Sequence, residues 1–244
     1  YRSDNTVSEG QMTDSATPTF SATSTITDHE RASDQNIGTI ISAVVDRDAI
    51  EYAVGSSVTA NAAAVYFTGD DNVSSGTIMN FFVDTDRASL PNKGTITAVS
   101  AAGWATTDLT ETTGTKFFVE FTGAVTNVSE VLIGSKLSFE VEPDVNIQSS
   151  IDYENSIQRS LGGVEYALNV NTGQEVTTIG FQNISSTFKT NLTTMQDALK
   201  GEAKKFVWYD GTSFHWVRLD KPMTFTEIAD GRFSTQLVLR QQIQ

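Results

Sequence analysis

Residues 191–200 read Asn-Leu-Thr-Thr-Met-Gln-Asp-Ala-Leu-Lys, and after Gly201 the stretch 204–219 reads Lys-Lys-Phe-Val-Trp-Tyr-Asp-Gly-Thr-Ser-Phe-His-Trp-Val-Arg-Leu. Leu192, Met195 and Leu199 recur at i, i+3 and i+7, which is one stripe of a helix. Asn191 is a suitable N-cap, because its side chain can accept a free first-turn N–H. Gly201 can adopt the left-handed conformation that ends a helix. The spacing therefore predicts one helix over about 190–200. The alternating runs on either side of Asp210-Gly211 predict a hairpin, with a type I′ turn at the Asp-Gly pair. On this reading Phe206, Trp208, Phe214 and Trp216 share one face, and Val207, Val217 and Leu219 the other. A second hairpin follows. Its first strand is Met223–Ile228, its turn is Ala229-Asp230-Gly231-Arg232, and its second strand keeps Phe233, Leu237 and Leu239 on one face. Together these elements predict a compact sheet carrying a single helix.

Working outward, the pattern is strand-like almost everywhere. Thr, Ser, Val and Gly are abundant and Pro is rare (four residues) in 244, the bias of a mainly β chain. Six runs between Gly38 and Glu142 read as strands: Thr39–Val45, Ala62–Phe67, Thr77–Val83, Gly94–Val99, Thr115–Phe121 and Lys136–Val141. Glycines 69, 76, 94, 114, 123 and 134 punctuate them. Short strands at this spacing predict a β-sandwich or barrel. Pro143-Asp144 marks a boundary, and 145–153 is a polar linker or a crossing strand. Gly162-Gly163 reads as a bend or bulge, Asn171-Thr172-Gly173 as a turn, and Glu175–Ile184 as another strand. The expected organisation is an extended N-terminal arm over 1–36, a β-sandwich-like domain over 37–145, and a β domain with one helix over 146–244. The arm is rich in Ser, Thr and Asp and buries too little to order itself. It is expected to lie along its own domains or along a neighbouring subunit. The chain opens on Tyr1 rather than Met, so its start is expected upstream.

Thirty acidic against sixteen basic residues give a net charge of -14. Such a chain repels phosphate backbones, which disfavours nucleic-acid binding. It has no Cys, so disulfides, thiolate nucleophiles and zinc–thiolate sites are excluded. No apolar run is long enough to span a membrane as a helix, and no signal-peptide pattern opens the chain.

Chemistry-bearing motifs are sparse, and no catalytic, cofactor-binding or metal-binding residues are expected. His29 lies between charged residues in the arm, where neighbours on an extended chain point apart. His215 alternates within a strand and reads as a packed or surface sheet residue. Asp70-Asp71-Asn72 and Asp84-Thr85-Asp86 offer oxygen ligands suited to calcium, but Asp and Asn also form turns unaided. No phosphate loop, G-x-S-x-G elbow or H-E-x-x-H motif is present, and no pair of carboxylates stands out as a glycosidase dyad. Trp104, Trp208 and Trp216 are placed either to pack a core or to stack on sugars.

The order helix, Gly201, Phe206-Val-Trp208-Tyr, Asp-Gly, Phe214-His-Trp216-Val-Arg-Leu, Phe225-Thr-Glu-Ile and Leu237-Val-Leu resembles the tail-tip and distal-tail proteins of long-tailed, siphovirus-like bacteriophages. Arg159-Ser-Leu-Gly-Gly-Val-Glu-Tyr resembles the strand that opens such domains, and the Ser/Thr-rich lead-in resembles their extended N-terminal segments. The resemblance covers about residues 150–244. It implies a β-barrel or split-sandwich domain with one flanking α-helix over 146–244, in a non-enzymatic virion protein whose copies form a three-fold or six-fold ring. That ring would join tail tube to hub, tip or baseplate, with no cofactor, no membrane contact and no sequence-specific nucleic acid. The alternative is a carbohydrate-binding or adhesion module that touches the host surface.

Overall fold

In the computed structural model, residues 6–8, 17–20, 41, 49–69, 78–83, 92–98, 101–123, 127–141, 143, 147–153, 156–159, 165–168 and 173–242 are described. The chain is mainly β, with one helix and two large antiparallel sheets. The strands in order are β1 (Thr6–Ser8), β2 (Thr17–Phe20), β3 (Ala49–Phe67), β4 (Ile78–Val83), β5 (Gly94–Thr97), β6 (Gly103–Phe121), β7 (Val128–Gly134) and β8 (Lys136–Leu137). They continue as β9 (Gln148–Asp152), β10 (Ser156–Arg159), β11 (Glu165–Leu168) and β12 (Gln174–Ser185). The helix α1 (Ser186–Ala198) comes next, then β13 (Lys205–Tyr209), β14 (Phe214–Leu219), β15 (Phe225–Ala229) and β16 (Arg232–Gln241).

The first sheet is ordered β2-β3-β6-β4-β5, with β7 also paired to β3. It curls: β6 pairs β4 near Val119, yet farther up Thr110 N–H donates to the Lys93 carbonyl just before β5. Ile50, Tyr52, Val65, Phe67, Phe81, Phe117, Phe121, Val131 and Ile133 fill the enclosed space. The second sheet is ordered β8-β1-β13-β14-β16-β12-β9, with β15 on β16. One of its faces carries α1 on a core of Ile179, Phe181, Phe188, Leu192, Met195, Phe206, Trp208, Val217, Leu219, Leu237 and Leu239. The other face meets the first sheet. There Ala62, Ala64, Tyr66, Trp104 and Leu132 pack against Val207 and Trp216. The Trp104 and Trp216 rings lie 5.2 Å apart, and Tyr66 meets Trp104 edge-on at 5.3 Å. Short Ala side chains on β3 leave room for these indoles.

Several expectations change. The helix begins at Ser186 rather than near Asn191, because Ser185 is the N-cap: its Oγ accepts the Phe188 N–H at 3.0 Å. Phe188 thereby extends the buried stripe by one turn. Gly201 ends the helix as expected, at φ 68°, and Lys200 before it is already left-handed at φ 52°. The Asp210-Gly211 turn is not type I′. Among described non-glycine residues only Asn183 and Lys200 have positive φ, so Asp210 and Asp230 stay on the ordinary side.

The face assignment of the first hairpin is also corrected. Tyr209 pairs Phe214, leaving the four-residue loop 210–213. A loop with an even number of residues sets even positions of one strand opposite odd positions of the next. Phe206 thus lies across from Val217, and Val207 across from Trp216. Phe206, Trp208, Val217 and Leu219 face the helix; Val207 and Trp216 face the other sheet.

Strands β3 and β6 run well beyond the stretches expected from Ala62 and Thr115. Gly114 lies within β6 at a register shift rather than in a turn. The unbroken buried run β7 carries no alternation and escapes a period-two reading. The chain passes between sheets at Ser135, ahead of the expected division at 145/146, since β7 belongs to the first sheet and β8 to the second. The polar stretch after 145 becomes the edge strand β9. The arm lies on its own sheets over 6–8 and 17–20, with β1 between β8 and β13 and β2 on β3. The Gly162-Gly163 pair falls outside the described residues, between the paired strands β10 and β11. Thr39, Ile40 and 42–45 are likewise outside them, while Ile41 is buried.

Two truncations test this packing. Trp216→Ala empties the space between the sheets and should cost about 3–5 kcal/mol in urea unfolding. Ser185→Ala removes a single cap and should cost about 1 kcal/mol.

Candidate functional site

The helix-bearing face of the second sheet is only partly covered. Beyond the end of α1, four strands turn from apolar to polar along that face. On β12 the sequence steps from Ile179 to Thr177 to Glu175, on β16 from Leu239 to Gln241, on β14 from Val217 to His215, and from β13 Trp208 leads to Asp210. Side chains two apart share a face, so these four polar groups converge. They rim a cleft of about 280 Å³ floored by Ile179, Trp208, Val217 and Leu239 and closed at one side by Pro143 and Ile147.

The polar groups are held. Asp210 Oδ1 accepts the backbone N–H of Thr212 at 2.7 Å and of Ser213 at 2.8 Å. This carboxylate takes over the work of a left-handed turn residue, which is why the loop needs no type I′ geometry. Its Oδ2 lies 2.9 Å from His215 Nε2, and the imidazole is half-buried. Partial burial pushes the Asp210 carboxyl up, but the Ser213 N–H, the His215 hydrogen bond and the Thr212 N–H together hold it below its ordinary value. Ser149 on β9 donates its hydroxyl to Glu175.

On the opposite face of the sheet Arg240 ties the cleft's strands together. Its Nε donates to Asp220 Oδ1 at 2.5 Å, one terminal nitrogen donates to Asp152 at 2.9 Å, and the other to the Gln174 side-chain carbonyl at 3.3 Å. The hydrogen bond to Asp220 raises its pKa further above the usual arginine range, against the effect of burial. The clamp joins β9, β12 and β16.

Asp210, in the loop after β13, and Glu175, on β12, both line the cleft. Among the described residues no three His, Cys, Asp or Glu side chains gather to hold a metal. His29, Asp70-Asp71-Asn72 and Asp84-Thr85-Asp86 lie outside the described residues. Trp104 and Trp216 are buried between the sheets and present no stacking surface, while Trp208, also largely buried, contributes to the cleft lining. His215, read from sequence as an ordinary sheet residue, is brought to the rim. The missed signal was Asp210, five residues ahead of it and on the same face.

No protein-family model matches the chain, and no curated protein matches it. Among solved structures it is similar to the family 32 carbohydrate-binding module of AlyQ in complex with 4,5-unsaturated mannuronic acid, at 20% identity and a TM-score of 0.40 over 51% of this chain and 95% of that one. A Clostridium perfringens module of the same family, in complex with GalNAc-β-1,3-galactose, gives 15% identity and 0.40 over 53% and 99%. A serum fucolectin from the striped bass Morone saxatilis gives 10% and 0.41 over 98% and 99%. These overlaps are loose and do not bear on what the cleft holds.

Two measurements probe the site's framework. Asp210 has a lowered folded pKa, so its contribution to stability is complete above the unfolded carboxylate value and drains away as pH falls through the folded one. Asp210→Asn should therefore lower stability at neutral pH, change it little well below the folded carboxyl value, and so flatten the acid limb of a stability–pH curve. Arg240→Ala strands the half-buried Asp220 and should cost about 2–4 kcal/mol, with faster amide exchange first in β9.

Proposed function

We propose that this protein is a non-catalytic carbohydrate-binding module and that the cleft between His215 and Glu175 is its sugar site. What carries this reading is the arrangement of an apolar floor edged by Trp208 under a rim of one imidazole, two carboxylates, an amide and a hydroxyl. Sugars present apolar C–H faces and a ring of hydroxyls, and small-ligand sites pair an apolar lining with a few fixed polar groups in this way. The hydroxyls can donate to Asp210 and Glu175 and accept from Gln241. Asp210 and Glu175 are already oriented by partners, so little side-chain freedom is lost on binding. Two carboxylates in a chain of net charge -14 disfavour phosphates and acidic sugars and suit neutral or amine-bearing ones.

A glycan array followed by titration calorimetry tests this. Neutral or amino sugars should bind, and His215→Ala should weaken binding about tenfold or more, the loss of one charge-linked hydrogen bond. An array blank for every glycan, with backbone NMR shifts at 175, 210, 215 and 241 unmoved by millimolar sugar, would refute it.

One separate observation supports an assembly role of the kind the tail-protein resemblance implies. Strand β9 closes the second sheet's order with no described strand beyond it, and Ile151 on it is 61% exposed. An edge of this kind pairs readily with a neighbouring chain. Mass photometry should then show a closed three-fold or six-fold ring in virion material, with copurifying tail proteins. A monomer that never associates would count against this second role.

A further inference from the structure

We infer that the cleft is one end of a longer groove, that Tyr153 is the stacking platform of a second subsite, and that the ligand is an oligosaccharide rather than a single sugar. This rests on the carbohydrate reading of the cleft. Three of its residues, Ser149, Glu175 and Gln241, also wall a second depression of about 590 Å³ that continues toward the sheet edge. Its far side is formed by Ile151, Tyr153 and Gly173.

Register makes the two depressions one surface. Glu175 pairs Ile151 and Thr177 pairs Ser149, so these residues share a face. The β12–β16 register, with Val176 across from Arg240, brings Gln241 beside Glu175. The groove thus runs across the strands from β14 over β16 and β12 to β9. That is three strand spacings, about 14 Å, which exceeds one pyranose ring.

Tyr153 is built to serve there. Its side chain is 45% exposed, unlike the buried indoles of the core. Its ring rests directly on Gly173: a Cβ at that position would stand 2.8 and 2.9 Å from two ring carbons and 2.8 Å from Ile151 Cγ2. Gly173 also has φ 86°, which side-chain-bearing residues rarely adopt. The glycine therefore lets the phenol ring pack directly against backbone at the wall of the second depression. Aromatic rings held in this way offer area for apolar contact at little entropic cost.

The test compares chain lengths. Glucose, galactose, mannose and N-acetylglucosamine are titrated by NMR to find the best-bound monosaccharide, and its β-linked di- and tetrasaccharide are then measured. The tetrasaccharide should bind at least tenfold more tightly than the monosaccharide. Tyr153→Ala should remove that gain and leave monosaccharide affinity within twofold, and Tyr153→Phe should retain it. Gly173→Ala, which displaces the ring without deleting it, should also lose the gain. Equal affinity for one and four sugars, or an unchanged tetrasaccharide affinity in Tyr153→Ala, would overturn the second subsite while leaving the first intact. His215→Ala weakening every length equally marks the first subsite. Failure of all four monosaccharides and their oligomers to bind wild-type protein would remove both.

Discussion

The β13–β14 hairpin is apolar on both faces, and most of the architecture follows from that constraint. A surface hairpin alternates apolar with polar and covers one core. Here Phe206, Trp208, Val217 and Leu219 point one way while Val207 and Trp216 point the other, and all are buried. Such a ribbon cannot be an outer layer. It needs a helix on one side and a second sheet on the other, and the chain supplies both. The indole N–H groups of Trp104 and Trp216 find no acceptor among the described residues, at about 1–3 kcal/mol each. Burying two such large rings against Tyr66 and the short Ala62 and Ala64 outweighs that cost.

The cleft is a by-product of the same alternation. A thirteen-residue helix reaches about 20 Å, less than the face it covers. Where it stops, a strand that stayed apolar would leave an exposed greasy patch. Each strand instead changes character at that line: Ile179 gives way to Thr177 and Glu175, Leu239 to Gln241, Val217 to His215, Trp208 to Asp210. The back face then needs something to hold the loosely covered end together, and Arg240 bridges Asp152, Gln174 and Asp220 there.

What was legible in the sequence was local. The apolar stripe of Leu192, Met195 and Leu199, the glycine stop at 201 and the two hairpins all lie within windows of a few residues. The start of the helix was less so, because Ser185 caps it from within the end of a strand. Parity across the 210–213 loop reversed the hairpin's faces, since deciding it requires the loop length rather than the alternation itself. The cleft was not legible at all. Glu175, Asp210 and Gln241 are far apart in sequence and meet only through the order β13-β14-β16-β12, which no local window contains. Strand β7 hid for a different reason: buried on both faces, it shows no period.

Sugar binding and assembly would draw on different directions of the same strand. Hydrogen bonds from β9 to a neighbouring chain lie in the plane of the sheet, whereas Ser149 and Ile151 project perpendicular to it, into the groove. A strand added beside β9 would pair with its outer edge and still leave the face open. It would also bring its own alternating side chains to the groove's end, lengthening the surface that starts at His215. A ring subunit and a glycan-binding subunit are therefore compatible uses of this sheet, and the feature that separates them is whether the groove ends at Tyr153 or continues onto the next copy.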